Sequence, residues 1–353
     1  MFNLESIIRP NVLKMKPYAS ARDEFKGAAN VFLDANENNL GSLAGENYNR
    51  YPDPHQNKLK ATIAEIKGVN PNQIFLGNGS DEAIDLLLRA FCTPGVDALL
   101  CLPPTYGMYE VSANLNDVHI DTVQLTPDFQ IPVREVMQSI KPETKILFIC
   151  SPNNPTGNSI DPESIETLLD NFEGIVVIDE AYIDFATAAS WTTRLEEYPN
   201  LVVLQTFSKA WGMAGLRLGM AFGSEALIAI LDKIKPPYNI NEATQELVLQ
   251  ALDKTEVLKD MVEEIVQERE LLVQALPQLS TVEFVYPSEA NFILVKVKDA
   301  NKLYNYLLNK GIVVRNRSSL KGCEGCLRIS VGTLEENQEL LKAIEEFGSK
   351  DNG

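Results

Sequence analysis

Residues 201–219, LVVLQTFSKAWGMAGLRLG, join a strand-like apolar run to three side chains of distinct chemistry. The run LVVLQT predicts a buried strand, and Ser208, Lys209 and Arg217 follow the point where it ends. Neither a strand nor an ordinary helix needs a hydroxyl, an amine and a guanidinium at this spacing. The stretch therefore predicts a strand whose carboxyl end carries part of a ligand site.

Three other apolar runs also end abruptly in small or polar residues. They are IFLGNGSDE (74–82), KILFICSPNNPTG (145–157) and GIVVIDEAY (174–182). The last two and the run at 201 begin roughly 30 residues apart, the length of one strand–helix–strand unit. This spacing is typical of an α/β fold with a largely parallel sheet. Because ligands bind beyond the carboxyl ends of such strands, the four tips predict one shared site.

The chain has 353 residues, more than a single core usually holds, so two domains are predicted. After KPPYNI (235–240) the pattern changes to a helical stretch over 241–276, short strand-like runs (VEFVYP, NFILVKV, GIVVR and CLRISVG) and a closing helix over 334–347. We predict an N-terminal arm (1–40) that joins the small domain, a large domain (41–235) and a small α+β domain (236–353). Pro236 and Pro237 would form the hinge, since proline ends a helix and stiffens a connection.

Composition limits the partners and the compartment. The net charge of −18 argues against a nucleic-acid partner, which would need a basic face. No apolar run reaches the roughly 20 residues of a membrane span, and no signal peptide is recognised at the N-terminus. The odd number of cysteines, 5, favours reduced thiols over a disulfide framework. We therefore expect a cytoplasmic protein that acts on small molecules.

A metal site is not expected from the sequence. Cys323 and Cys326 have the C-x-x-C spacing, which is half a zinc site or a redox pair. No second pair accompanies them, and the chain has only 2 histidines. We interpret the spacing as a chance feature near a turn.

The strand tips offer groups that bind an anion. The turn GNGSDE places two glycines and Ser80 directly before an apolar helical pattern, so free backbone N–H groups and the helix dipole can attract a negative charge. A Ser or Asp side chain that caps the N-terminus of the helix explains such a turn about as often as an anion site does. Ser208 and Arg217 add a hydroxyl and a guanidinium, which bind phosphate oxygens firmly.

The remaining tips offer groups for a ring and an aldehyde. Asp179 ends a run of Ile and Val, and a buried carboxylate needs a cation. Asn154 and Tyr182 offer neutral hydrogen bonds, and Tyr106 offers an aromatic face. Lys209, beside a cation in a cleft, would have a lowered pKa and could form a Schiff base. Pyridoxal phosphate needs all of these groups, so we predict it as the cofactor.

With these residues the chain resembles the fold-type-I pyridoxal-phosphate aminotransferases, an aspartate-aminotransferase-like fold, and within them the histidinol-phosphate branch. The motifs that carry the resemblance span nearly the whole chain: KPYASAR, LDANENN, RYPDP, GNGSDE, PPTYGMY, SPNNPTG, VIDEAY, TFSKAWGMAGLRLG, GIVVRNR and CLRISVG. The implied fold is a large domain with a mostly parallel sheet flanked by helices, plus a smaller α+β domain.

The resemblance implies a role for each site residue. Lys209 would carry the cofactor and move the proton, Asp179 would pair with the pyridinium nitrogen, and Tyr182 and Asn154 would bind the phenolic oxygen. Tyr106 would stack on the ring. The phosphate end would be lined by Ser80, Asp81, Thr206, Ser208 and Arg217.

The resemblance also implies a dimer and a substrate pocket. Tyr51 would reach the cofactor phosphate of the other subunit, so that a homodimer shares its sites. Arg328 and Arg315 would bind the anionic groups of the substrate, with Arg317 as a rival for the second place. Tyr18 and Asn36 would lie over the substrate.

The implied reaction is ping-pong transamination between glutamate and imidazole-acetol phosphate, which yields 2-oxoglutarate and histidinol phosphate in histidine biosynthesis. Three alternatives stay open. An aromatic or broad-specificity aminotransferase would differ only in its substrate pocket. Threonine-phosphate decarboxylase is a lyase of similar sequence. A pyridoxal-phosphate-binding regulator would need a DNA-binding module, for which this acidic chain has no basic helix.

Overall fold

The computed structural model of the chain describes residues 2–18, 30–45 and 48–351. Within these ranges no helix combines the length and the apolar character needed to cross a membrane. Residues 19–22 of the KPYASAR motif, and with them part of the predicted N-terminal arm, lie outside the described residues.

A seven-stranded sheet forms the larger half of the described chain. Its strands are β1 (Ile74–Asn78), β2 (Ala98–Cys101), β3 (His119–Thr122), β4 (Thr144–Cys150), β5 (Ile175–Asp179), β6 (Leu201–Thr206) and β7 (Leu218–Gly223). The order is β1-β7-β6-β5-β4-β2-β3, and β7 runs antiparallel to both of its neighbours while the pairs from β6 to β3 are parallel. The mostly parallel sheet predicted from the sequence is confirmed.

Helices cover both faces of this sheet. They are α1 (Leu4–Ile7), α2 (Pro10–Lys14), α3 (Asn57–Lys67), α4 (Ser80–Phe91), α5 (Met108–Leu115), α6 (Val133–Ser139), α7 (Pro162–Asn171), α8 (Glu225–Ile234) and α9 (Glu242–Leu252). Side chains alternate along β4: Leu147 and Ile149 pack in the core under α3, α6, α7 and α9, whereas Ile146 and Phe148 pack in the core under α4, α5 and α8. Strands buried on both faces need continuous apolar runs, which is why those runs marked the strands in the sequence.

A smaller four-stranded antiparallel sheet follows, with the order β10-β11-β9-β8. Its elements are α10 (Thr255–Ala275), β8 (Val282–Val285), β9 (Phe292–Val297), α11 (Ala300–Asn309), β10 (Arg315–Asn316), β11 (Cys326–Ser330) and α12 (Leu334–Asp351). The helices cover one face of the sheet, where Ile293, Val295 and Ile329 pack against them. On the opposite face, Leu294 and Cys326 pack into the core of the large sheet. This opposite face is therefore turned toward the large sheet.

The helical and strand-like runs of this half differ from prediction in two places. The pattern over 241–276 forms two helices, α9 and α10, with a break at residues 253–254. Of the run GIVVR only Arg315 is in a strand, because Ile312 still donates its N–H to Leu307 O at the end of α11.

The first helices do not join the small domain as predicted for the arm. Ile8 and Val12 are buried in the core beneath α4 and α8, and the Arg9 N–H donates to Ala90 O at 2.9 Å. These apolar side chains find their partners on the large sheet, so this part of the domain prediction is corrected.

The carboxyl ends of β1, β4, β5 and β6 lie at one edge of the large sheet, as their parallel directions require. The turn after β1 approaches β7 closely there. A Cβ on Gly219 would lie 2.1 Å from Ser80 N, and Gly79 adopts φ +72°, a conformation that favours glycine. The two glycines thus bring the start of α4 against the strand that follows Arg217.

Candidate active site

A cavity opens at this edge of the sheet and gathers most of the predicted site. Its lining includes ten predicted residues: Ser80, Asp81, Tyr106, Asn154, Asp179, Tyr182, Thr206, Ser208, Lys209 and Arg217. Gly79, Cys150, Ala181 and Ala214 complete it. The four strand tips therefore meet at one cavity, as their pattern indicated.

One end of the cavity is suited to an anion. Helix α4 begins at Ser80 without a side-chain cap from Gly79, so its first N–H groups stay available to a ligand. The Thr206 hydroxyl donates to Ser208 Oγ at 3.0 Å, which places two hydroxyls side by side. Arg217 is exposed and lies 3.8 Å from the Asp81 carboxylate, close enough to turn to an incoming anion.

Asp81 cannot offer its carboxylate to a phosphate. Its Oδ1 accepts the Tyr106 hydroxyl at 3.2 Å, and its Oδ2 faces Arg217. Of this residue, only the backbone N–H can donate to an anion. The carboxylate instead holds Tyr106 in the cavity wall.

Asp179 also lines the cavity. It is only 2% exposed, and burial raises the pKa of its carboxyl group to about 6. The Tyr109 hydroxyl donates to Oδ2 at 2.7 Å and the Ala181 N–H donates to Oδ1 at 3.1 Å, and both favour the ionised form. Among the described residues no cation forms a salt bridge with it. The buried carboxylate thus has room for a cationic partner from a ligand.

Tyr109 is the functional residue that the sequence interpretation missed. It is fully buried, and its ring stacks on Phe148 with centroids 4.5 Å apart. Tyr106 contacts it edge-on at 5.6 Å. The available signal was the second tyrosine of PPTYGMY, which follows Tyr106 by three residues and lies at the start of α5.

Tyr109→Phe is expected to destabilise the cofactor-free protein by about 1–3 kcal/mol at pH 8, because a buried carboxylate loses a hydrogen bond. The hydrogen bond from Tyr109 lowers the pKa of Asp179 in the wild-type protein. Without this bond the pKa should rise further above about 6. At pH 5 the carboxyl group is neutral in both proteins, so the loss should be smaller. Urea unfolding at both pH values measures this, with Tyr304→Phe as the control. An equal loss at pH 5 and pH 8 would contradict the role of the hydrogen bond.

The position and the lowered pKa of Lys209 suit a nucleophile. The side chain is accessible to solvent through the cavity, and its Nζ lies 5.6 Å from the centre of the Tyr182 ring. The surrounding protein and then Arg328 lower the pKa of the amine, while Asp179 acts in the opposite direction. A lowered pKa increases the fraction of free amine, the form that attacks a carbonyl carbon.

Asn154 connects the two sheets. Its Nδ2 donates to the Tyr182 hydroxyl at 3.3 Å, and its Oδ1 accepts Arg328 Nη1 at 2.6 Å. Arg328 belongs to β11 and also lies over the Phe292 ring, 5.2 Å from its centre. The small sheet therefore contributes a cation directly beside the cavity.

The other predicted residues lie away from the cavity lining. Tyr18 and Asn36 are exposed, and Asn36 has a positive φ of 55°. Tyr51 is also exposed and stacks on Tyr238 with ring centroids 4.5 Å apart. Arg315 is exposed on β10. Within one chain, none of these four side chains completes the site.

Cys323 and Cys326 are buried, and burial raises the pKa of both thiols. Cys326 N donates to Cys323 O at 3.0 Å, which is a tight turn. Across the described ranges no three His, Cys, Asp or Glu side chains are grouped in a way that could hold a metal ion.

The donor set fits pyridoxal phosphate. Free N–H groups, two hydroxyls and Arg217 match the phosphate, and the unpaired buried Asp179 matches a protonated ring nitrogen. Lys209 lines the same cavity and matches the aldehyde. Fold and site together define a pyridoxal-phosphate enzyme of the aminotransferase class.

The family model "Aminotransferase class I and II" matches residues 21–344, so the chain belongs to this family of pyridoxal-phosphate aminotransferases. A histidinol-phosphate aminotransferase from Cytophaga hutchinsonii is 52% identical over 98% of this chain and 99% of its own length. The family and the cofactor expected from the motifs are thereby confirmed.

Solved structures share the fold. The histidinol-phosphate aminotransferase from Clostridium acetobutylicum matches with a TM-score of 0.80 at 24% identity, over 86% of this chain and 92% of that one. The Sinorhizobium meliloti enzyme, in complex with pyridoxal-5'-phosphate, matches with a TM-score of 0.78 at 23% identity, over 90% of each chain. The predicted fold class, with its smaller second sheet, is confirmed.

Proposed function

We propose that this protein transfers an amino group between glutamate and imidazole-acetol phosphate, giving 2-oxoglutarate and histidinol phosphate, and that it works in both directions in histidine biosynthesis. The observation that carries the reaction class is one cavity lined by Lys209, by an anion cradle and by the unpaired buried Asp179. The near-full-length likeness to histidinol-phosphate aminotransferases supports the choice of substrate.

The chain's own residues account for the steps of this reaction. Bound pyridoxal phosphate supplies an aldehyde carbon that takes up the amino group and a ring that withdraws electrons from the substrate's α carbon. Ser208, Arg217 and the first N–H groups of α4 hold the phosphate end. Asp179 stays ionised and keeps the ring nitrogen protonated. Tyr106 packs beside the ring.

Lys209 moves the proton. With substrate bound, the lowered pKa would keep the Lys209 amine in its free form, ready to accept a proton from the substrate's α carbon. Tyr182 and Asn154 lie next to it and bind the phenolic oxygen. Arg328, beside Asn154, binds an anionic group of the substrate and orients the α carbon toward the amine.

The proposal also includes the predictions about the residues that cover the substrate, the domains and the cellular location. Tyr18 and Asn36 cover the substrate, and Arg315 adds a charge at the rim. The small domain begins after α9 rather than at residue 236, because Val248 and Leu252 of α9 pack in the core of the large sheet. A cytoplasmic location is supported by the 5 free, buried cysteines.

The active form is a homodimer in which Tyr51 completes the site of the other subunit. Tyr51 is 51% exposed and lies outside the cavity lining of its own chain. Apolar side chains near it in sequence are also strongly exposed: Val31 by 71%, Leu33 by 79% and Leu40 by 98%. Exposed apolar residues in one segment favour a protein interface.

A complementation experiment tests the shared site. Tyr51→Ala and Lys209→Ala homodimers should each be nearly inactive. In a heterodimer of the two, one site carries both changes and the other carries neither, as a two-fold interface requires, so random mixing should restore about a quarter of wild-type activity. Activity that stays at the level of the separate variants would exclude a site shared through Tyr51.

The substrate choice is tested with the purified holoenzyme. Histidinol phosphate, phenylalanine and threonine phosphate are compared as amino donors to 2-oxoglutarate, with carbon dioxide release measured in parallel. We expect the highest kcat/KM for histidinol phosphate. A preference for phenylalanine would indicate an aromatic aminotransferase, and carbon dioxide release from threonine phosphate would indicate a decarboxylase.

A further inference from the structure

We propose that Asn239 is a positioning residue for cofactor binding, which holds the turn GNGSDE (77–82) in the shape that receives the cofactor phosphate. Asn239 is not among the described residues that line the cavity, so it acts through the turn. The inference rests on the proposed place of the cofactor phosphate and does not depend on the choice of amino donor.

The turn has little support of its own. Its N–H groups at the start of α4 receive no cap from Gly79, which has no side chain, and Gly77 precedes it by two residues. Glycine is conformationally permissive, so such a turn can adopt several shapes. One backbone hydrogen bond, from Gly79 N–H to Arg217 O at 2.8 Å, attaches it to the chain before β7. The direction of the free N–H groups must therefore be fixed by other contacts.

Glu82 closes the turn from within. Its Oε2 accepts the Asn78 N–H at 2.5 Å and Asn78 Nδ2 at 3.0 Å. The absence of a side chain at Gly77 permits this approach, since a Cβ there would lie 3.1 Å from Glu82 Cβ. The first turn of α4 is thereby joined to the end of β1.

Asn239 holds the same turn from outside, from a position 157 residues beyond Glu82. Its Nδ2 donates to Leu76 O at 2.9 Å and lies 3.2 Å from Glu82 Oε1. Its backbone carbonyl accepts Asn78 Nδ2 at 2.7 Å. The Oδ1 atom accepts Gln56 Nε2 at 3.4 Å. One asparagine thus contacts the strand before the turn, the turn itself and the helix after it.

The segment that carries Asn239 is itself held in place. Tyr238 stacks on Tyr51, and Gln245 Nε2 donates to Ile240 O at 3.0 Å. The buried Thr244 hydroxyl donates to Leu216 O at 3.3 Å, directly before Arg217. The segment 238–245 therefore supports both components of the anion cradle, the turn and the arginine.

The expected effect is limited to the phosphate. A hydrogen bond to a charged oxygen depends steeply on distance and angle, so a turn that shifts without Asn239 should hold a phosphate less tightly. Asp179 and Lys209 lie at the ends of other strands and make no hydrogen bond to Asn239 among the described residues. Binding of the ring and the aldehyde should therefore change little.

The experiment compares the cofactor with its phosphate-free form. Pyridoxal phosphate is removed from the purified holoenzyme, and either pyridoxal phosphate or pyridoxal is titrated back and followed by absorbance. For Asn239→Ala we expect the Kd for pyridoxal phosphate to rise about 10-fold or more and the Kd for pyridoxal to change less than about 2-fold. Asn171→Ala is the matched control and should change neither Kd. It also removes an amide that donates to a backbone carbonyl, Thr167 O at 2.8 Å, but on the exposed face of α7.

Asn78→Ala tests the same network from its exposed side, where the substitution leaves no buried gap. We expect the Kd for pyridoxal phosphate to rise about 3-fold, again without a change for pyridoxal. In the double variant with Asn239→Ala, the Kd should stay within about 2-fold of that of Asn239→Ala alone, because both side chains act on one turn. If Asn239→Ala does not fold, the Asn78→Ala titration decides the inference.

Three results would overturn the inference. An equal loss of affinity for both forms would indicate general loosening of the cavity. Unchanged affinity for both would show that the turn keeps its shape without Asn239. Wild-type protein that binds pyridoxal as tightly as pyridoxal phosphate would place the phosphate outside the turn. Failure of the proposed function has a different signature: if wild-type enzyme does not use histidinol phosphate, the cofactor titration still decides the role of Asn239.

Discussion

Lys209→Ala is expected to lower amino-group transfer by about 10⁴-fold or more. General acid–base catalysis by one side chain contributes about 10²–10⁴-fold, and this lysine also provides the covalent attachment of the cofactor. The free amine is favoured here because burial and Arg328 lower its pKa, and no other lysine is present among the described residues that line the cavity. Transfer from glutamate to 2-oxo acids, followed under saturating cofactor, measures the loss.

The covalent attachment gives a readout that does not depend on turnover. Wild-type protein treated with pyridoxal phosphate and borohydride should carry the label on the peptide that contains residue 209. The Lys209→Ala variant should carry none there. Its unfolding transition should remain close to wild type, because no hydrogen bond or ion pair joins the Lys209 amine to the described residues. Lys342→Ala, on α12, controls for the loss of a lysine and should keep both label and activity.

A labelled lysine elsewhere, with residue 209 unmodified, would refute the assignment of the nucleophile. Near-normal amino-group transfer by Lys209→Ala would refute the assignment of Lys209 as the residue that moves the proton. A variant that fails to fold would be recognised by its unfolding curve, and Lys209→Arg would then be measured instead, since it keeps the charge and size but cannot form the imine.

The strand tips could be predicted because their signal is local. An apolar run buried on both faces ends in a polar turn, and parallel pairing then brings such turns to one edge without any further information. Asp179, Asn154, Ser208 and Lys209 could therefore be placed at one site from three separate stretches. The structure adds the distances between them.

Contacts between distant segments could not be predicted in the same way. Tyr109 binds Asp179 across 70 positions of sequence, and only the packing of α5 on the sheet shows it. Short amphipathic helices such as α1 and α2 do not reveal which core they will cover. The break at residues 253–254 contains no proline or glycine that would mark it.

Asp179→Asn is expected to lower both turnover and the affinity for pyridoxal phosphate by about 10²-fold or more. Breaking a buried ion pair costs about 3–5 kcal/mol, because one charge is left without its partner. Here the partner is the protonated ring nitrogen, which a neutral amide does not hold in its charged form. Cofactor titration followed by absorbance gives the affinity, and Asp170→Asn on α7 serves as the exposed control.

The same substitution should change the pH dependence of stability in the cofactor-free protein. The folded-state pKa of about 6 lies above the ordinary value of 3.8 for an aspartate, so the folded protein holds this proton more tightly than the unfolded chain. Stability from this group is therefore fully present below pH 4 and is lost as the pH rises toward about 6, by roughly 3 kcal/mol in all. The Asp179→Asn variant should not lose this stability as the pH rises, because its amide does not titrate. The free energy of unfolding of the variant, relative to wild type, should thus increase between pH 4 and pH 7.

Bound cofactor should reverse this behaviour in the wild-type protein. A cationic ring nitrogen beside Asp179 favours the ionised carboxylate and lowers its pKa, which removes the loss of stability near pH 6. Urea unfolding with and without pyridoxal phosphate, from pH 4 to pH 8, distinguishes the two states. If the cofactor stabilised wild type and Asp179→Asn equally at every pH, the carboxylate would not face the ring nitrogen. Near-normal turnover by the variant would lead to the same conclusion, because an electron-withdrawing ring depends on the proton that Asp179 keeps in place.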